Sequence, residues 1–250
     1  MKHQNYNAWL LSPTPFGAEI FAKAGFHSVT VDMQHGMLDF RTAIDCFRGI
    51  ALHGSQPWVR VAANDPALIT KVLDAGALGV ICPLISTPKQ ADDFVKACHY
   101  QFDGGNRSFG PVRAALVLDD YVARSAKLIT AMAMIETQEG FDNVEAIAAT
   151  PGLNGLFIGP ADLALAFGIA PTPENRDPDF LERIDHIIAA AHDAGILCGM
   201  FAGTPEYARD MLTRGMDMVS AVTDTQILLN GAQSALTALG GPTAKTHNGY

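Results

Sequence analysis

The sequence predicts a (β/α)8 barrel, an α/β fold with all 250 residues in a single domain, and three observations predict it. Eight short runs rich in Val, Ile, Leu and Met recur along the chain, apolar on both faces as parallel strands covered by helices are. Segments with helical spacing separate the runs, and eight strand–helix units in 250 residues match the ~250 residues typical of this barrel. The phrase Ala-Gly followed by an apolar run recurs as AGFHSVTV, AGALGVI and AGILCGM, each a helix closed by glycine before a strand. The competing doubly wound sheet would carry a glycine-rich turn after its first strand, and SPTPFGAE lacks GxGxxG.

In chain order, the run Ala8–Ser12 leads into a helix over Phe16–Ala24 that Gly25 closes. Ser28–His35 is the second strand and Phe40–His53 its helix. After the third run, Trp58–Ala62, Asp65 and Pro66 open a helix over Pro66–Ala75: a side-chain oxygen caps it and a proline fits its first turn. The fourth run, Gly79–Ile85, is followed by the same signal at Thr87 and Pro88, opening Pro88–His99. The Gly-rich stretch Asp103–Gly110 reads as a loop; Ala131–Thr137 is the fifth strand, with a helix over Asn143–Ala149. Gly155–Gly159 is the sixth strand, running into the helix of ADLALAF, and the Pro-rich Ala170–Pro178 is a second loop. A helix over Phe180–Ala194 precedes the seventh strand, Leu197–Ala202, whose helix is Pro205–Arg214. Met216–Val222 is the eighth strand, Gln226–Leu239 its helix, and a loose tail begins at about Gly240.

Composition excludes several roles. Seventeen Lys and Arg against 26 Asp and Glu give a net charge of −9, with the cations scattered, which argues against nucleic acid and against a lipid surface. No run approaches the ~18 apolar residues of a membrane span, and MKHQNYNAWLL lacks the form of a secretory signal. Cys46, Cys82, Cys98 and Cys198 include no CxxC and read as buried thiols in a reducing cytoplasm.

In a parallel barrel the reactive side chains stand where strands end, at the carboxyl face. That rule nominates Asp32, Gln34 and His35 in VDMQHG, Arg60 in WVRV, Glu136 in MIETQEG and Asp162 in FIGPADL. Glu136 and Asp162 close neighbouring strands. Together they suit a hard octahedral cation such as Mg²⁺ or Mn²⁺ that keeps positions for water and a chelating substrate. Each carboxylate alone is equally compatible with capping the helix that follows it. His35 is the histidine best placed for proton transfer, with a structural role as the alternative. Arg60 is either half of a buried ion pair or a fixed cation for a carboxylate or enolate oxygen. All seven lysines fall outside the strands, which argues against a Schiff base. The segment Gly104–Gly110 with Arg107 is a weak anion cradle and otherwise a surface loop.

At these residues the chain resembles the metal-dependent, class II 2-oxo-acid aldolases of the 4-hydroxy-2-oxoheptane-1,7-dioate aldolase and citrate lyase-like family, hydroxy ketoacid aldolases among them. The resemblance runs through AGFHSVTVDMQHG, VRVAANDPALITKVLDAGALGVICPLIST, NRSFGPVR, MIETQEGFDNVEAIAATPGLNGLFIGPADLALAFG and the last strand. It implies a barrel that cleaves a 4-hydroxy-2-oxo acid reversibly to pyruvate, or hydroxypyruvate, and an aldehyde. His35 is then the general base, Arg60 the enolate stabiliser and substrate contact, and Glu136 and Asp162 the metal ligands. The backbone at Ala161 and Asp162 contacts substrate, and the metal is Mg²⁺ or Mn²⁺, with Co²⁺ or Zn²⁺ as substitutes. Asp74 matches an acidic residue credited with raising the basicity of the histidine. It ends a helix before the fourth strand, pointing away from its own mouth, so it either reaches a neighbour's site or acts indirectly; Asp32 is an alternative partner for His35. The resemblance further implies a homo-oligomer, a hexamer built as a trimer of dimers that exchange their last helix. The apolar face of Gln226–Leu239 equally suits packing within one barrel. Two positions depart from the family's pattern: Gln34 replaces a glutamate before the histidine, and Met134 a glutamine two residues before Glu136. The rival readings are an oxaloacetate decarboxylase-type lyase, a citrate-lyase-like enzyme without an evident basic patch, and a barrel that binds a small acid without turnover.

Overall fold

A computed structural model of the chain describes residues 5–172 and 174–242, so most of the tail expected from Gly240 lies outside the described residues. Eight parallel strands close into a barrel in sequence order: β1 (Asn5–Leu10), β2 (Ser28–Asp32), β3 (Gln56–Arg60), β4 (Gly79–Cys82), β5 (Thr130–Ile135), β6 (Gly155–Ile158), β7 (Leu197–Phe201) and β8 (Met218–Thr223), with β8 pairing back onto β1. Helices α1 (Pro15–Ala24), α2 (Phe40–Leu52), α3 (Pro66–Asp74) and α4 (Pro88–Cys98) follow the first four strands. The β4–β5 connection adds two short helices, α5 (Ala114–Val117) and α6 (Tyr121–Leu128). Then come α7 (Gln138–Asp142), α8 (Val144–Ala148), α9 (Pro160–Ala166), α10 (Pro178–Asp193), α11 (Pro205–Arg214) and α12 (Asp224–Ala238).

Local chemistry explains the helix starts. Thr14, Asp65, Thr87 and Thr204 each accept a first-turn backbone N–H, and Thr87 forms a reciprocal capping box with Gln90. Gly25 and Gly215 close α1 and α11 at φ of 102° and 122°. Several predicted strands end earlier than their apolar runs. The second stops at Asp32 because that side chain accepts the N–H of Gln34 and His35, bending the chain out of the sheet.

Strand alternation sorts the core into two compartments. Outward residues such as Val29, Val31, Val59, Val80, Ile135 and Ile158 pack under the helices. Inward, Trp9, Trp58, Ile81, Met132, Met134, Phe157 and Met218 fill the barrel. A Cβ at residue 79 would stand 2.0 Å from the Trp58 ring, so Gly79 is what admits that indole. Near the strand starts, Asn7 donates to Ser28 Oγ (2.8 Å) and accepts from Thr30 Oγ1 (3.1 Å) and Ser220 Oγ (2.8 Å), tying β1, β2 and β8 together. All four cysteines are free and buried. No helix among the described residues is long and apolar enough to cross a membrane.

The last helix departs from this packing. Among the residues of α12 only Asp224 is buried, while Leu228 is 74% exposed and Ile227, Leu229, Leu236 and Leu239 are exposed with it. The apolar face foreseen there therefore does not pack within its own barrel.

Candidate active site

The carboxyl ends of β2 and β3 make the first half of the site. Register places Asp32 beside Arg60, and the guanidinium grips the carboxylate at two points: Nε donates to Oδ1 at 2.9 Å and Nη2 to Oδ2. Trp9 Nε1 also donates to Asp32 Oδ2 (3.2 Å), and the Arg60 guanidinium lies 5.1 Å from the Trp9 ring centroid. Burial pushes the Asp32 carboxyl up, but Arg60, the Trp9 N–H and the Gln34 N–H outweigh it and hold it below the usual carboxylate range. Arg60 Nη1 has no acceptor among the described residues and remains available to a ligand oxygen.

The ends of β5 and β6 make the second half. Ile135 pairs with Ile158, so Glu136 and Gly159 leave the sheet side by side. A Cβ at residue 159 would stand 2.5 Å from Glu136 Oε2, so glycine there keeps space beside the carboxylate. Glu136 is buried and accepts the Leu84 N–H on Oε1 at 2.8 Å. Burial pushes its carboxyl up to about 7; the Leu84 bond and the Arg60 charge pull against this, and the Asp162 charge adds to it. Asp162 is exposed in the first turn of α9. Just before it, Ala161 presents a backbone N–H of the kind that a helix start leaves without an internal acceptor.

The charges of Arg60 and Asp162 both act on the Glu136 carboxyl, which gathers these three residues around one mouth. A buried carboxylate with one free oxygen, a second carboxylate within range and the cleared space at Gly159 fit a hard divalent cation. His35 stands on the loop after β2, exposed, with its N–H on Asp32 Oδ1 (3.3 Å) and no ring partner among the described residues. Asp32, weighed above as a partner for that imidazole, meets His35 through the backbone and spends its oxygens on Arg60 and Trp9.

Asp74 is not part of this mouth. It ends α3, beside the strand starts, where Arg107 Nη2 donates to its Oδ1 at 2.6 Å; burial lifts its carboxyl above the ordinary value despite that bond. Arg107 itself is buried, donating also to Tyr121 Oη (2.9 Å) and stacking over Tyr100, so it does not serve an anion cradle at Gly104–Gly110. Met134 faces into the barrel with Trp9 and Phe157, and Gln34 carries a buried Oε1 without a partner among the described residues. Sequence reasoning missed Asp32 as the clamp on Arg60, although two polar residues ending adjacent strands were its signal. It also missed Leu84, for which no sequence signal exists.

The comparisons with known proteins make this parallel eight-stranded barrel, with two carboxylates and an arginine at its carboxyl mouth, a class II aldolase, a carbon–carbon lyase. The profile of the HpcH/HpaI aldolase/citrate lyase family matches residues 5–231, and the chain belongs to that family. It is 38% identical over 229 residues to the hydroxypyruvate/pyruvate aldolase of Rhizorhabdus wittichii, covering 91% of each chain. It is 34% identical to the 2-dehydro-3,6-dideoxy-6-sulfogluconate aldolase of Pseudomonas putida, covering 93% of this chain and 91% of that one. Among solved structures, a HpcH/HpaI aldolase/citrate lyase family protein from Burkholderia cenocepacia superposes with a TM-score of 0.88 at 33% identity, covering 96% of each chain.

Proposed function

We propose that the chain cleaves a 4-hydroxy-2-oxo acid reversibly to pyruvate or hydroxypyruvate and an aldehyde. The observation that carries this reading is Glu136, a buried carboxylate at the end of β5 with Oε1 on the Leu84 N–H and Oε2 beside the space at Gly159, in the field of Asp162 and Arg60. The hydroxypyruvate/pyruvate aldolase relative supports the choice of 2-oxo acid.

Glu136 and Asp162 would hold a divalent cation, Mg²⁺ or Mn²⁺, which when bound supplies Lewis-acid polarisation of the carboxylate and keto oxygens of the 2-oxo acid. The Ala161 and Asp162 N–H groups orient the substrate carboxylate. Arg60, its other nitrogens fixed on Asp32, presents Nη1 to the oxygen that gains negative charge as the carbon–carbon bond breaks. His35 removes the C4 hydroxyl proton in cleavage; in the condensing direction the base takes a methyl proton from pyruvate. Asp74, remote from this mouth in its own subunit, acts on His35 of a neighbouring copy. The exposed leucines of α12 support a homo-oligomer, a hexamer built as a trimer of dimers, that covers them. Four free buried thiols fit a cytoplasmic setting.

The test is exchange of pyruvate methyl protons with deuterium, followed by NMR, in metal-stripped protein before and after Mg²⁺ or Mn²⁺. Exchange that appears only with the cation is expected. Exchange that survives complete metal removal, or that neither ion restores with pyruvate or hydroxypyruvate, overturns the reading.

A further inference from the structure

Leu84, in the turn after β4, adopts φ of +56°, one of two non-glycine residues among those described with positive φ. The left-handed region is unfavourable for a branched L-side chain, and such conformations persist where the surroundings over-determine them. Here they do. Ile85 is buried, Ser86 N donates to Gln90 Oε1 (2.7 Å), Ser86 Oγ meets Thr137 Oγ1 (2.7 Å), and Asn143 Nδ2 donates to the Ser86 carbonyl (2.9 Å). The turn delivers the Leu84 N–H to Glu136 Oε1, leaving Oε2 beside the space at Gly159. Glycine or asparagine at residue 84 would deliver the same N–H at lower conformational cost. The chain instead holds a leucine there whose side chain is 55% exposed and so gains little from packing within its own barrel. β4 lies between β3, which carries Arg60, and β5, which leads to Glu136, so the turn that bears this apolar group leaves the barrel between the arginine and the glutamate.

We propose that Leu84 is a specificity-determining residue whose side chain forms an apolar wall for the carbon chain of the aldehyde. The inference rests on the aldol reading of the site and adds the class of aldehyde: one with an apolar substituent next to the carbonyl. The substrate covers the leucine when it binds, and that burial offsets the cost of the left-handed turn.

The experiment compares wild type with Leu84→Gly and Leu84→Asn, both of which tolerate positive φ and keep the N–H. Aldehyde-free pyruvate methyl exchange with Mg²⁺ reports the metal half of the site, and condensation with butanal or glycolaldehyde reports the wall. Both variants are expected to melt no lower than wild type, and the exchange rate of each variant is the reference against which its condensation rates are read. Their kcat/KM for butanal falls about tenfold, the worth of partly burying a leucine, while that for glycolaldehyde changes little. Unaltered selectivity with exchange intact overturns the proposal and leaves the aldol reading standing. Exchange lost in the variants makes Leu84 a support for Glu136 and also overturns it. A changed oligomeric mass without altered selectivity assigns the leucine to a subunit contact. Absence of metal-dependent exchange in wild type sinks the aldol reading itself, an outcome separable from the other three.

Discussion

At the scale of single residues, the clamp between Asp32 and Arg60 decides how the arginine can be probed. Asp32 is fully buried, so removing its cation leaves a buried charge without compensation, a loss of about 3–5 kcal/mol. Arg60→Ala therefore confounds catalysis with stability, and Arg60→Lys is the cleaner variant. Lysine keeps a charge opposite Asp32 but has no second arm for substrate. Its kcat is expected to fall by a factor of about 100 or more with a cooperative melt retained, and a value near wild type would remove Arg60 from the reaction. The same pair sets an acid limit. The folded carboxyl of Asp32 sits below its unfolded value of 3.8, so its contribution is complete above about pH 4 and is lost as pH falls through the lower folded value. The difference in Tm between wild type and Asp32→Asn should be wide at pH 7 and close under acid. A gap that stays constant to pH 2 would mean that the carboxylate charge contributes nothing.

At the scale of elements, α12 sets an expectation about assembly. Leu228 and Leu236 are exposed in the single chain, and seating each against a neighbour contributes about 1.5–3 kcal/mol. The double variant Leu228→Glu/Leu236→Glu should shift the subunit dissociation midpoint by more than about tenfold in concentration, read by light scattering. An unchanged mass at every concentration would assign the helix another use. The same helix shows where sequence reading ends. Its existence was legible from the spacing of Ile227, Leu228, Leu229 and Leu236, but periodicity reports an apolar face and not which chain covers it. Caps and helix-closing glycines were legible because their partners lie within a few residues, as with Thr87 and Gln90. The helices α5 and α6 were not, being segments of four and eight residues inside a long connection. In the site, Arg60, Glu136 and Asp162 were legible as polar residues breaking an apolar run near strand ends. The positive φ of Leu84 was not, because nothing in Pro-Leu-Ile announces a left-handed turn.

At the scale of the whole molecule, His35 and Asp74 lie at opposite ends of one barrel, so a partnership between them requires two subunits. Dissociating and remixing His35→Ala with Asp74→Ala should regenerate activity, approaching about a quarter of wild type under random pairing of the two site halves. If mixing returns nothing while each variant stays folded and oligomeric, Asp74 works within its own chain, through Arg107. Barrel closure has a consequence of another kind. The side chain of Asn7 belongs to the first strand of the barrel, yet its carbonyl is shared with Ser220 on the last. Until β8 is synthesised, β1 and β7 offer open edges to any strand nearby. The two exposed edges are withdrawn together, and only when the segment carrying Ser220 reaches β1.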